Sequence, residues 1–111
     1  MAEDCIFCPI AQGRTATELL YEDDQMVAFR DINPHAPVHL LIVPKKHIRS
    51  INDLMPEDHP LLSALIDRAQ KLAVAQGVAE SGYKLLFNVE WGGGQRVFHL
   101  HLHLLGGWEK K

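Results

Sequence analysis

The sequence predicts an α+β domain, an antiparallel meander of about five strands with one long and one short helix. Three observations carry that prediction. Short β-prone runs alternate with turn-forming clusters, one amphipathic stretch (56–77) interrupts them, and the final run stops at Gly106-Gly107. Strands joined by local turns pair antiparallel, whereas a parallel sheet needs a long crossover between every pair.

Taken in order, segment 5–11 has the length of a short turn or helix and is followed by the polar stretch Gln12-Gly13-Arg14-Thr15. Runs 19–22 and 26–31 flank Asp23-Asp24-Gln25, which reads as a hairpin with a tight turn. The loop Asn33-Pro34-His35-Ala36-Pro37 holds two prolines, which cannot donate to a ladder, so it lies outside any interior strand. Run 39–43, ended by Pro44, is densely apolar and predicts a central strand buried on at least one face.

Between Pro56 and Gly77, residues Leu61, Leu62, Leu65, Ile66, Ala69, Leu72 and Ala73 recur at spacings of three and four, which puts them on one face of a helix. Asn52 or Asp53 is a candidate cap, Pro56 suits a first turn and Gly77 fits the position just past the end. Run 83–89 is a further strand, 90–95 a loop, and 97–104 the last strand.

Composition bounds the function. With 111 residues, 47% apolar and 23% charged, the chain has the profile of one domain spanning 1–111, and a core this small gains from a metal staple or a subunit interface. A net charge of -3, and no basic cluster larger than Lys45-Lys46, argue against a nucleic-acid polymer as partner but leave room for a single nucleotide. The acidic start Met1-Ala2-Glu3-Asp4 is unlike a signal peptide, and the longest aliphatic run, Leu40-Leu41-Ile42-Val43, is too short for a bilayer; both predict a soluble cytoplasmic protein. The two cysteines, Cys5 and Cys8, make no disulfide framework.

The chemistry concentrates in the last strand. Val97, His99, His101 and His103 alternate with Phe98, Leu100, Leu102 and Leu104, so the leucine side faces the core and three imidazoles line the other side over about 13 Å. One reading is a solvated polar face; another makes His99 and His101 ligands of a catalytic metal, although the carboxylates nearest in sequence, Glu90 and Glu109, lie outside the strand. The third reading is phosphoryl chemistry. A neutral imidazole attacks phosphorus while a protonated neighbour supplies a hydrogen bond or charge, and the central ring, His101, is the best flanked. Its attacking nitrogen is free only if the other nitrogen donates a proton to a fixed acceptor such as a backbone carbonyl. Attack gives a nucleotidyl-imidazole that water then cleaves.

Gly92-Gly93-Gly94-Gln95, directly before this strand, is a candidate anion nest, and the Gln95 and Asn88 amides converge with it on a plausible phosphate position. Asp31 either caps a turn or accepts both hydroxyls of a ribose, with Phe29 and Ile32 forming an apolar slot for a base. Cys5-Ile6-Phe7-Cys8 has the gap of a zinc knuckle whose two remaining ligands would have to be histidines; a redox pair and two inert thiols are the competing readings. His35 and His59 receive no role, and Lys45-Lys46 reads as solvated.

The elements Phe29-Arg30-Asp31-Ile32-Asn33-Pro34-His35-Ala36-Pro37-Val38-His39, Pro44-Lys45-Lys46-His47-Ile48, Gly93-Gly94-Gln95 and 99–107, with its three histidines, resemble the histidine-triad (HIT) superfamily, in particular its Hint branch. The resemblance runs from about Cys5 to Gly107. It implies a homodimer whose central sheets join, and hydrolysis of adenosine or guanosine phosphoramidates, nucleotidyl-lysine adducts included, without an organic cofactor. It also implies that His101 is the nucleophile, His103 a phosphate or leaving-group partner and His39 a supporting histidine. Asp31 holds the ribose, and Asn88, Gly94 and Gln95 surround the phosphate. Zinc-bearing members imply a structural Zn²⁺ on Cys5, Cys8, His47 and His99, which leaves His101 free.

Two departures bear on specificity. Arg96 stands where the Hint branch often has serine or threonine, and an arginine there favours an anionic or longer phosphate chain. Only Trp108-Glu109-Lys110-Lys111 follow the Gly-Gly pair. Dinucleoside polyphosphate hydrolysis or phosphorolysis, and a nucleotide- or zinc-binding regulatory partner with little turnover, are the alternatives.

Overall fold

The computed structural model describes residues 5–108; the acidic start (1–4) and the end of the tail (109–111) lie outside the described residues. Five strands, β1 (Tyr21–Glu22), β2 (Met26–Arg30), β3 (Val38–Pro44), β4 (Tyr83–Leu86) and β5 (Leu102–Gly106), accompany two helices, α1 (Phe7–Ala11) and α2 (His59–Ala75). All neighbouring strands pair antiparallel, in the order β1-β2-β3-β5-β4. The first three form the expected meander. Its hairpin is closed by Asp23, whose N–H donates to the Met26 carbonyl at 3.0 Å and whose Oδ1 accepts from the N–H groups of Gln25 and Met26 at 2.8 and 3.0 Å.

The meander is broken once. α2 carries the chain past the sheet to its edge, where β4 lies, and β5 returns between β3 and β4. Burial explains the order: Leu102, Leu104 and Leu105 of β5 are buried, whereas no residue of β4 is fully buried, so the more apolar strand takes the interior position.

The last strand is also shorter than predicted, starting at Leu102 rather than Val97. Ile42 pairs with Leu102, so two residues further along Pro44 would face Leu100, and proline has no N–H to continue the ladder. Leu100 N–H instead donates to the Ile48 carbonyl at 2.6 Å. The predicted strand 83–89 likewise ends at Leu86.

Each face of the sheet buries its own cluster. Under α2 lie Met26, Ala28, Leu40, Ile42, Leu65, Ala69, Leu72, Ala73, Leu100, Leu102 and Leu104, so the leucine side of the histidine segment is the core side as predicted. The opposite face holds a smaller cluster of Phe7, Ala11, Val27, Phe29, Leu41 and Val43 beneath α1, with Val97 packed against it. The histidines therefore do not stand on an open surface.

Several local expectations are corrected. α2 begins at His59 with Pro60 in its first turn, and Pro56 opens a separate 3₁₀ turn, Pro56–Asp58. Neither Asn52 nor Asp53 is the cap: Ser50 Oγ accepts from Asn52 N–H at 3.2 Å, and Asp58 Oδ2 from Met55 N–H at 3.0 Å. Ile66 is exposed rather than on the buried stripe. Lys46 is bound to the buried Asp58 at 2.6 Å and Lys45 to Glu22 at 2.9 Å. Gly77, at φ +76°, ends the helix as expected. No helix among the described residues is long and apolar enough to cross a membrane.

Gly106 shows how tightly β5 is inserted. A Cβ there would lie 3.1 Å from Val78 Cβ, 3.2 Å from Tyr83 Cβ and 3.3 Å from the Gly82 carbonyl oxygen. Because one of those neighbours is backbone, Gly106→Ala is expected to cost about 1–3 kcal/mol, read as a lower urea midpoint at unchanged slope. An unchanged midpoint would show that β5 has slack against its neighbours.

Candidate active site and metal centre

Strand pairing assembles the histidines. Leu41 faces His103 and His39 faces Leu105, which makes His39 and His103 diagonal neighbours on the face away from α2. His39 Nε2 lies 3.0 Å from His103 Nδ1, and the His101 and His103 ring centroids are 4.8 Å apart. His101 is 8% exposed, with the Phe7 ring edge-on at 5.0 Å.

Hydrogen bonds assign the tautomers. His101 Nδ1 lies 2.7 Å from the His99 carbonyl oxygen, which can only accept, so Nδ1 carries the proton and Nε2 keeps its lone pair. His39 Nδ1 accepts from the His35 backbone N–H at 3.0 Å, so His39 Nε2 is protonated and donates to His103 Nδ1. His103 is left with a proton on Nε2; Asn88 Nδ2 lies 3.4 Å away, and since both are donors the Asn88 amide bonds this N–H only when turned to present its oxygen. The Asp31 carboxylate lies 3.4 Å from His39 Nε2.

Burial pushes all three rings toward neutrality. His103 is held down at about 4, first by burial and then by the neighbouring His101 and His39, with Asp31 opposing. Burial also lowers His101, against its bond to the His99 carbonyl, and lowers His39, against Asp31. The expected protonated neighbour is thus a neutral N–H donor in the free protein. A bound phosphate would favour the charged form, because a nearby anion raises the affinity of imidazole for its second proton.

An open cleft of 310 Å³ lies over these rings, lined among others by His35, Asn88, Gly94, Arg96, His101 and His103. His35, given no role from sequence, thus contributes both a backbone donor to His39 and a ring to the cleft wall. Its spacing of four from His39 across a proline loop was the available signal.

The glycine loop is built differently from the expected nest. The N–H groups of Gly93 and Gln95 donate to the Glu90 carbonyl at 3.0 and 3.1 Å, and that of Gly94 to the Trp91 carbonyl at 3.1 Å. These amides close the 3₁₀ turn Trp91–Gly93 instead of standing free. Gln95 is buried, and its side chain braces the loop: Oε1 accepts from Glu90 N–H at 2.7 Å, and Nε2 donates to the carbonyls of Arg49 and Val97 at 2.7 and 3.0 Å. Its amide is therefore not aimed at the cleft.

Glu90, missed by sequence reading, takes a φ of +63° that side chains rarely adopt. It is held there by Arg49 at 3.0 Å and by Ser50 Oγ, which donates at 2.7 Å. Gln95→Leu strands an N–H and two carbonyls and is expected to cost about 2–4 kcal/mol, measured by urea unfolding. A cost under about 0.5 kcal/mol would mean that water replaces the brace.

Asp31 caps a turn, the first of its two readings, and its second oxygen turns to a histidine. Oδ1 caps a turn, accepting from Asn33 N–H at 2.9 Å, while Oδ2 faces His39. The slot expected from Phe29 and Ile32 is not formed by that pair: Phe29 is buried edge-on against Phe7 at 5.6 Å, whereas Ile32 is 91% exposed.

The second constellation lies at α1. Cys5 Sγ is 3.1 Å from His99 Nδ1, Cys8 Sγ is 3.2 Å from His47 Nδ1, and the two Nδ1 atoms are 3.2 Å apart. Residues 94 positions apart in sequence thus present two sulfurs and two nitrogens to one point. Zinc–sulfur bonds of about 2.3 Å and zinc–nitrogen bonds of about 2.0–2.1 Å put tetrahedral ligand atoms roughly 3.3–3.8 Å apart, so this donor set fits the ion with small adjustments.

The surroundings fit as well. His99 Nε2 lies 2.8 Å from the Pro44 carbonyl oxygen, which fixes its proton on Nε2 and leaves the Nδ1 lone pair toward the sulfurs, as an outer carbonyl does for a metal-bound histidine. Without a cation, burial and the neighbouring Cys5 push the Cys8 thiol up to about 11, and burial holds His99 down at about 4. Both cysteines are free thiols. His99 and His101 direct their Nδ1 atoms to different partners and so do not form a joint metal pair.

Known proteins resemble the chain over nearly its whole length. Residues 4–110 match the family described as scavenger mRNA decapping enzyme C-term binding. A purine nucleoside phosphoramidase of Escherichia coli (strain K12) is 45% identical over 107 residues, covering 96% of this chain and 90% of the relative. The crystal structure of a HIT family hydrolase from Legionella pneumophila Philadelphia 1 superposes with a TM-score of 0.92 at 56% identity, covering 96% of this chain and 95% of the other. A zinc-bound histidine triad family protein from Mycobacterium smegmatis gives a TM-score of 0.78 at 29% identity, covering 96% of this chain and 76% of the other. With the fold, the alternating histidines and this near-complete likeness in agreement, the chain belongs to the histidine-triad (HIT) family and is a HIT-type hydrolase.

Proposed function

We propose that the protein hydrolyses the P–N bond of purine nucleoside phosphoramidates through a nucleotidyl intermediate on His101. The observation that carries this reading is the tautomer of His101: Nδ1–H held by the His99 carbonyl, with the Nε2 lone pair beside an open cleft and an N–H of His103 next to it. The 45% identity to a purine nucleoside phosphoramidase supports the same substrate class.

His101 Nε2 attacks phosphorus, the P–N bond breaks, and the amine leaves with a proton. The substrate's phosphate raises the proton affinity of His103, which takes up a second proton on binding, gives it to the leaving nitrogen and recovers one from the water that attacks next, while His39 with Asp31 orients the ring. Water then cleaves the His101–phosphorus bond and releases the nucleoside monophosphate. Asn88 and Gly94 border the phosphate, Arg96 sits at its outer side, and Gln95 acts indirectly by bracing the loop. Asp31 receives the ribose hydroxyls, and the exposed Ile32 lies under the purine.

Cys5, Cys8, His47 and His99 hold a structural Zn²⁺, whose ligand bonds tie α1 to the sheet. The protein acts as one domain over 1–111, in the cytoplasm, as a homodimer; the open edge of β4 is the feature that supports pairing of two sheets. The reading is tested by AMP release from adenosine 5′-phosphoramidate, with mass spectrometry of acid-quenched samples for a nucleotidylated His101. Turnover with an adduct on another residue would remove His101 from its role, and nucleotide binding without turnover would favour a binding protein.

A further inference from the structure

Burial does not hold the glycine loop. Trp91, Gly92, Gly93 and Gly94 are all exposed, and glycines lose more backbone freedom on being fixed than any other residue. Yet this stretch brings Gly94, Arg96 and Val97 to the wall of the cleft beside His101, and it runs on to His99, whose carbonyl holds the His101 proton. Its shape must be set by polar ties.

Three consecutive residues of the neighbouring segment supply them. The Ile48 carbonyl accepts from Leu100 N–H at 2.6 Å, the Arg49 carbonyl accepts from Gln95 Nε2 at 2.7 Å, and the buried Ser50 donates from Oγ to Glu90 Oε2 at 2.7 Å. The Arg49 side chain adds a tie at each end of the loop. Its Nε lies 3.2 and 3.1 Å from the two Glu90 carboxylate oxygens and its Nη2 3.0 Å from Oε1, while the guanidinium carbon sits 4.3 Å from the centroid of the Phe98 ring. Glu90 needs this grip. Among the described residues it is the one non-glycine at positive φ, and its backbone takes three of the loop's hydrogen bonds: its carbonyl accepts from Gly93 and Gln95, and its N–H donates to Gln95 Oε1. A carboxylate anchored from two sides offsets the cost of that backbone conformation.

Resting on the phosphoramidase reading, we propose that Arg49 and Glu90 are positioning residues for the reaction: their ion pair holds the loop in the shape that sets Gly94 beside the substrate's phosphate and the His99 carbonyl against His101 Nδ1. Neither touches substrate. Both act by placing groups that do, and a misplacement of about 1 Å can cost on the order of a hundredfold in rate. Because the pair is partly exposed, with side chains 53% and 32% accessible, its loss shows in the site before it shows in global stability.

The test joins steady-state kinetics on adenosine 5′-phosphoramidate to hydrogen exchange of the Gly93, Gly94 and Gln95 amides, which close the loop. Arg49→Gln and Glu90→Gln are each expected to lower kcat about tenfold with KM changed less than about threefold, and to speed exchange of those amides about tenfold while β3 and β5 stay protected. The double variant should be no slower than either single one, because each removes the same interaction. Arg49→Lys, which keeps the charge without the fork, should recover part of the rate. Glu90→Gly separates the clamp from the bend: glycine takes the positive φ freely, so this variant stays slow because the carboxylate is gone. Wild-type kcat in Arg49→Gln or in Glu90→Gly would overturn the positioning role, as would unchanged amide exchange in both glutamine variants. No turnover by the wild type would overturn the phosphoramidase reading and the role that rests on it.

Discussion

His101→Ala is expected to lower kcat for adenosine 5′-phosphoramidate by at least about a thousandfold and to abolish the mass adduct. No neighbouring group can take over. His103 Nδ1 is engaged by His39 and its Nε2 carries a proton, so His103 has no free lone pair in the cleft. The Nδ1 of His99 is turned to the sulfurs. Without the covalent step, only positioning and hydrogen bonding remain, which elsewhere leave a small residue of catalysis.

The variant should fold, because the lost ring lies at the rim of the smaller cluster, against Phe7, and the α2 core is untouched. Its cavity is shaped for an imidazole, so added imidazole should restore part of the rate in a saturable way. Activity within tenfold of the wild type would remove His101 as nucleophile.

Stripping the metal is expected to lower the thermal midpoint by more than about 10 °C, the effect of several kcal/mol on a domain of this size. On this reading the α1 side depends on the ion. α1 has five residues, and its packing on the sheet rests on the small cluster around Phe7 and Phe29. Protein produced with zinc should carry one ion per chain by elemental analysis, and Cys8→Ser should reproduce the low midpoint of chelator-treated protein. Turnover well below that midpoint should fall less than tenfold, because the Pro44 carbonyl still anchors the His99 ring. A midpoint indifferent to chelator and to Cys8→Ser would show that the four side chains hold no structural ion.

Much of this site could be read from sequence because it rests on periodicity. Alternation alone put Leu100, Leu102 and Leu104 on the core face and the histidines opposite, and it survived although 97–101 is outside the ladder. The carbonyl partner of His101 followed from the requirement for a free lone pair. The strand order did not follow, since local turns say nothing about whether β5 lies beside β4 or slips inside it. Phe29 was misread for a related reason: the pattern of β2 does not reveal that α1 covers the second face. The glycine loop failed at a finer level. Whether an amide N–H points outward or closes a turn depends on the φ of Glu90, +63°, and no residue type announced it.

His99 answers to two masters through different atoms. Its imidazole is claimed by the sulfurs, and its main-chain oxygen fixes the proton of His101. The bond from Nε2 to Pro44 steadies that oxygen whether or not an ion is present. Descendants of this chain can therefore shed the two cysteines and forfeit robustness alone, whereas replacing the histidine between them and the reacting ring would disturb both stability and chemistry. Over mutational time, position 99 should be among the slowest to drift and the cysteine pair among the first to go.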